Sequence, residues 1–191
     1  MSADHDSPIS LHEGVTIAKA IMTEKDGNVS LPEGTILASS IKRVLSFIID
    51  VILVSSLLLI ATGGEIINAL NLTLWFSYDF HYSLAYTLVL FTAQWLYWRV
   101  IGVNYSRSLG QKMFGIAVIC NDGSQLNGEM WDKRSFLKLK FLIPLVNIYL
   151  GVYELARISQ RHTHQSNLDL KIGTVVVEAN SLPPAYRREI R

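Results

Sequence analysis

The chain is short of charge, of cysteine and of any excess of one sign. Only 17% of its 191 residues are Asp, Glu, Lys or Arg, and 17 basic side chains against 16 acidic ones leave a net charge of +1. Nucleic acid is therefore excluded as an expected partner, because no global basic field exists to neutralise a phosphate backbone. The single cysteine, Cys120, has no second thiol to pair with, so the fold cannot rest on an internal disulfide. No base can be placed beside that thiol from the sequence, and it reads as a packed strand residue. The first ten residues are polar and acidic (Asp4, Asp6) and lack the basic and apolar regions of a cleaved signal. Membrane insertion is then expected to be directed by the first apolar helix.

Recognisable reaction chemistry is also lacking. Gly110-Gln111-Lys112 is neither a phosphate loop nor a nucleotide fingerprint, and no serine, cysteine or histidine arrangement suggests nucleophilic catalysis. His162 and His164 flank one residue and would share a face in a strand, but no further ligand joins them, so a solvated loop is the expectation and no metal or other cofactor is assigned. An enzyme is not expected.

What the chain has is apolar length. Half of it is hydrophobic, with a mean hydropathy of +0.28, which places it on the membrane side of the range for soluble domains. Ser39 and Ser40 are positioned to cap a helix whose residues 44–61 are interrupted by one charge and stopped by Gly63-Gly64. A second apolar helix over 82–103 carries Tyr82 and Tyr86 at one end and Trp95, Tyr97 and Trp98 at the other, as interfacial belts do. Between them, residues 65–80 read as a helix lying along the membrane surface. A third apolar segment, 136–155, is compromised by Lys138, Lys140, Pro144, Asn147 and Glu154. Its clean stretch of about 13 residues is shorter than the roughly 20 that a perpendicular span needs, so a re-entrant or interfacial helix is expected, with a third span as the alternative. Residues 115–120 and 174–177 read as strands, and 121–123 as a tight turn.

The fold class expected is thus membrane all-α: two transmembrane helices plus one re-entrant or interfacial helix, with a small cytoplasmic β element. Residues 1–37 read as a hairpin-like appendage, 38–179 as the membrane domain, and 180–191 as an exposed tail. The loop between the two spans contains no Lys or Arg, whereas Lys42, Arg43, Arg99, Arg107, Lys112, Lys133 and Arg134 flank the other ends, which puts both flanks in the cytoplasm of a cell membrane. A returning third segment keeps the basic C-terminal region, with Arg157, Arg161 and Lys171, on that same side. It also lets the two strands meet.

Asp50 lies about two turns into the first helix, at a depth where an ionised carboxylate costs several kcal/mol and needs a partner or a proton. Arg43 is seven residues earlier, about 10.5 Å along the axis, and its side chain points away. Arg99, near the same end of the antiparallel second helix, reaches a similar depth and is the expected partner, with snorkelling to the interface as the alternative.

The order Arg43, Asp50, then the run from Ser108 through Gly110-Gln111-Lys112-Met113-Phe114-Gly115 to Asn121-Asp122-Gly123, then Asp169 just ahead of Gly173-Thr174, resembles the RDD family of membrane proteins. The family takes its name from one arginine and two aspartates. The resemblance implies that these are Arg43, Asp50 and Asp169. Family members often have a histidine before the second aspartate, where this chain has Leu168. The resemblance also implies either of two activities: proton or small-cation transport, here through Asp50 with Asp169 at the cytoplasmic mouth, or an accessory role in assembling larger membrane complexes. The expected partners are the bilayer and either further copies of the chain or other membrane protein subunits, since two spans alone form too thin a wall to enclose a pathway.

Overall fold

A computed structural model describes residues 31–32, 34–143, 146–161 and 164–189, so the hairpin expected at the N-terminus lies almost wholly outside the described residues. Helix α1 (Ser40–Ala61) starts where the Ser39 hydroxyl accepts from the Lys42 amide, and ends at Gly63 and Gly64, whose φ angles of 60° and 97° carry the chain out of the helix. Its 22 residues extend about 33 Å, and most of its surface is apolar and faces outward: Ile48, Ile52, Leu57 and Ile60 are all exposed. Among the described residues it is the helix long and apolar enough to cross a membrane.

The stretch expected as one surface helix divides into a 3₁₀ turn (Glu65–Leu70) and the short helix α2 (Leu72–Trp75), because the Asn71 side chain caps the second piece by accepting from the Thr73 and Leu74 amides. It is anchored by burial of Ile66 and Ala69 and by the Ser83 and Thr87 hydroxyls, which donate to the carbonyls of Asn68 and Ala69. Ser83 and Thr87 belong to α3 (Phe80–Tyr105), a 26-residue helix about 39 Å long. Its start packs on the segment that follows α1, and its far end reaches Phe47 and Asp50 near the beginning of α1. The two long helices are therefore antiparallel.

Beyond α3 the chain builds a base of short elements: α4 (Leu109–Met113), β1 (Ile116–Cys120), α5 (Gly128–Lys138), α6 (Val146–Gln160), α7 (Asn167–Ile172), β2 (Thr174–Glu178) and α8 (Pro184–Glu189). The apolar segment 136–155 is not one helix. A 3₁₀ turn (Leu139–Leu142) intervenes between α5 and α6, and α6 spans only about 22 Å.

Strands β1 and β2 are antiparallel, from Ile116 opposite Glu178 to Cys120 opposite Thr174. On the other side of β2, the Ala38 amide donates to the Val176 carbonyl at 3.0 Å and the Glu178 amide to the Ile36 carbonyl at 2.8 Å, so residues 36–38 run as a third strip and feed directly into α1. Both faces of the sheet are covered, which explains why IAVIC and TVVVE are continuous apolar or β-branched runs and not alternating ones. One face packs Ala117, Ile119, Val175 and Val177 against Leu182 and Tyr186. The other packs Ile116, Val118, Cys120 and Val176 against Leu126 and Trp131. Leu182 is 1% exposed, so the expected free tail from residue 180 is corrected: its first turn belongs to the core, and α8 is tied back by Arg187, which donates to the Leu182 carbonyl at 3.0 Å.

Helix α5 packs closely on α3 at Gly102. A Cβ at Gly102 would lie 2.4 Å from Cε3 and 2.6 Å from Cδ2 of the buried Trp131 indole. Gly102→Ala is expected to lower stability by about 1–3 kcal/mol, despite the helix-favouring change, because the buried indole would have to shift to admit the methyl group. Thermal unfolding in detergent measures this, and an unchanged or raised melting temperature would refute the contact.

Candidate functional site

Two buried aspartates organise the junction between α1 and the base. Asp50, 1% exposed, faces α3 and α4. Its Oδ1 accepts from the Tyr97 hydroxyl at 2.8 Å and from the Gly110 amide at 2.8 Å, and its Oδ2 accepts from the Trp98 indole at 3.3 Å. Tyr97 Oη in turn accepts from the Leu109 amide at 3.2 Å. Leu109 and Gly110 are the first residues of α4, and their amides have no partner within the helix, so Asp50 and Tyr97 complete the cap that Ser108 and Gln111 begin. Proximity requires glycine here: a Cβ at Gly110 would lie 2.1 Å from the Ser46 carbonyl oxygen.

The expected Asp50–Arg99 pair does not form. Arg99 Nε is 3.4 Å from Asp132 Oδ1, about half exposed, with its guanidinium over the Trp95 ring. Depth was matched but direction was not: neighbouring helical residues are about 100° apart, so the turn that aims Trp98 at Asp50 swings Arg99 outward to α5. Asp50 is satisfied by three neutral donors instead of a cation.

The second aspartate, Asp169, is 2% exposed at the start of α7. Arg134 from α5 reaches its Oδ1 at 2.5 Å and Arg43 from α1 its Oδ2 at 3.2 Å. Oδ2 also accepts from the Ser166 amide and hydroxyl, closing a reciprocal cap, while Oδ1 accepts from the Thr174 hydroxyl. Arg43 continues to the Val176 carbonyl and Arg134 to Thr174 Oγ1, so both guanidiniums also hold β2. Burial alone would raise the Asp169 carboxyl, but the charges of Arg134 and Arg43, with the hydrogen bonds from Arg134 and the Ser166 backbone, hold it below the ordinary carboxylate range.

Of the residues singled out from sequence, then, Arg43 and Asp169 are in contact, Asp50 lies in the same junction with other partners, and Arg99 is elsewhere. Arg134, which completes the pair, stands out in the sequence only as one of the flanking positive charges. The available signal was spacing: Trp131, Arg134, Ser135 and Lys138 fall at i, i+3, i+4 and i+7, one face of a helix, and that face is the buried one. Ser108–Gln111 and Ser166–Asp169 were likewise legible as capping boxes.

Between the two aspartates lies a cavity of about 380 Å³, bounded by α1, α5, α6 and α7 and walled on its apolar side by Phe47, Phe141, Leu155 and Leu168. Lys138 borders it. Its ammonium is 5.0 Å from the Trp98 ring centroid and meets no acceptor among the described residues. Burial, and then the charge of Arg134, push the Lys138 amine down to about 8 against the opposing pull of Asp50 and Asp169. Glu154, also at the cavity, accepts from Lys140 Nζ at 3.2 Å and from the Asn167 amide at 2.8 Å. No cluster of three or more metal-binding side chains occurs among the described residues.

One helix, α1, is long and apolar enough to cross a membrane, and buried arginine–aspartate pairing locks it to the base, features of a membrane-associated protein. Residues 37–173 match the family model of the RDD family, and the chain belongs to that family. No curated protein and no solved structure matches it.

Asp169→Asn is expected to cost about 3–5 kcal/mol, because Arg43 and Arg134 would then share a buried site without their anion. Since the folded-state pKa of Asp169 is depressed, its stabilisation is full above the ordinary carboxylate value of about 4 and disappears as pH falls below it. Melting curves from pH 7 to pH 3 should show an acid loss in the wild type that is much reduced in the variant; parallel curves would overturn this assignment.

Proposed function

We propose that the chain is a non-catalytic accessory subunit of a larger membrane assembly, and that Arg43, Asp50 and Asp169 act as keys of its fold and not as carriers of protons or cations. The observation that carries this reading is the saturation of the carboxylates. Asp50 accepts from three donors and Asp169 from two guanidiniums, a backbone amide and two hydroxyls. A cation would need free oxygen acceptors facing the cavity, and the three carboxylates that border it, Asp50, Asp169 and Glu154, are each already taken up by donors of the protein. One observation favours the transport reading: Asp50 borders the cavity that also reaches Asp169.

In this proposal α1 and α3 both cross a cell membrane as an antiparallel hairpin, α6 lies at the interface, and the base, with Arg43, Lys112, Arg134 and Arg161, is cytoplasmic. The distribution of charge supports it, since residues 62–79 contain no Lys or Arg. The exposed Phe76 and Tyr78 of that connection, together with the outward apolar faces of α1 and α3, are the surface offered to lipid and to other membrane subunits.

Liposomes containing the purified chain are expected to show no proton or cation flux above empty liposomes. Flux that Asp50→Asn abolishes would sink the accessory reading and establish transport. Orientation is read separately by single-cysteine labelling in a Cys120→Ser background: Phe76→Cys should react with a membrane-impermeant maleimide from outside intact cells, and Arg188→Cys only after lysis. Labelling of both positions from the same side would refute the two-span hairpin.

A further inference from the structure

The cavity between α1 and α6 has a chemical bias that the accessory role does not use. Its three carboxylates, Asp50, Asp169 and Glu154, are each taken up by donors from the protein. The cations are not matched in the same way. Among the described residues Lys138 has only the Trp98 ring, and the Nε atoms of Arg43 and Arg134 are buried without a hydrogen-bond partner. The Arg134 side chain is 6% exposed and that of Arg43 10%, so solvent does not stand in for the missing acceptors. Of the three carboxylates that line the cavity, Glu154 is paired with Lys140 from outside the lining, so the three lining cations, Arg43, Arg134 and Lys138, share only Asp50 and Asp169.

The rest of the cavity is apolar. Phe47, Phe141 and Leu155 line it, and Ile48 of α1 and Ile148 of α6, which also border it, are 43% and 66% exposed on the outer surface, where α1 meets the bilayer. Gly151 keeps the α6 side open: a Cβ there would touch nothing within 4 Å. A site with unmatched guanidinium and ammonium donors at its base and aliphatic and aromatic walls toward the membrane fits a molecule with an acidic head and a hydrocarbon tail.

We propose that this cavity binds the anionic phosphate headgroup of a membrane lipid, with Lys138, Arg134 and Arg43 as its donors and the α1–α6 wall receiving the start of an acyl chain. The proposal is independent of whether the chain serves as accessory subunit or carrier. The lowered basicity of the Lys138 amine agrees with it, because a cation lacking its counter-ion is less stable when buried.

The full chain in detergent micelles is titrated with phosphatidylglycerol or phosphatidylcholine of identical acyl chains, and retained lipid is counted by native mass spectrometry. Phosphatidylglycerol should bind about tenfold more tightly than phosphatidylcholine, and Lys138→Gln should reduce that preference about fivefold. Gly151→Leu, which fills the cavity without altering charge, should remove retention of phosphatidylglycerol while the melting temperature holds or rises. Lys133→Gln, an exposed position on the same helix, should leave retention unchanged. Inorganic phosphate in about tenfold excess over lipid should not displace it. Equal retention of the two lipids, or retention insensitive to both Lys138→Gln and Gly151→Leu, would overturn the site. Complete displacement by inorganic phosphate would overturn the lipid as its occupant.

Discussion

Everything at the base of this molecule depends on one carboxylate being shared by two arginines. Asp169 draws together Arg43 from the start of α1, Arg134 from the inner face of α5 and its own capping serine on α7, and the same guanidiniums pass hydrogen bonds on to β2. A buried ion pair adds little net stability over an apolar contact of the same volume, but losing one partner is costly. Such an arrangement is better understood as a constraint than as an adhesive: it admits one relative placement of α1, α5, α7 and the sheet. Apolar packing alone would tolerate several, because α1 offers a nearly uniform hydrophobic surface on which no register is preferred.

Asp50 does the complementary task on the other side of the junction. A carboxylate placed within an apolar helix is expensive unless its lone pairs are filled, and here the filling comes from the free amide of α4, a tyrosine hydroxyl and an indole. The consequence runs in both directions: α4 gains the cap that a five-residue helix cannot supply from within, and α1 gains a fixed rotation about its axis. Gly110 is the geometric condition for this, since only a residue without Cβ lets that amide approach within reach of Asp50 past the Ser46 carbonyl. An arginine and an aspartate seven residues apart on one helix thus grip different parts of the molecule, α7 and β2 through Arg43, α3 and α4 through Asp50.

What was legible in the sequence was whatever depends on distance along one element. The start and stop of α1, the two strands, the short reach of the segment after Phe136 and the unfavourable depth of Asp50 all follow from local composition and rise per residue. What was not legible depends on azimuth and on long-range meeting. Arg99 has the right depth for Asp50 but the wrong rotation, and no property of the second helix alone reveals which of Tyr97, Trp98 and Arg99 faces inward. The link from Arg43 to Asp169 crosses 126 residues; the family pattern singles out both residues but says nothing of their pairing. Arg134 belongs to the same link, yet in sequence it is one basic residue among several in a polar helix. The amphipathic spacing of Trp131, Arg134 and Lys138 carries the information only once that face is known to be buried.

The two-arginine arrangement also has a cost that shapes the cavity above it. One aspartate can fill only some of the ten N–H bonds of two guanidiniums, and here each Nε is left over. Replacing Arg134 with an apolar residue would cure the charge imbalance, but it would also release Thr174 and the edge of β2 from α5. A second buried aspartate would cure it too, yet Asp50 already stands nearby, and two carboxylates so placed would raise one another's pKa and invite protonation. The surplus of positive charge is therefore a by-product of holding the strands and α1 with the same pair of side chains. In the membrane placement proposed for this chain, with Ile48 and Ile148 at the cavity's edge, the nearest abundant source of acceptors for those donors is the headgroup layer.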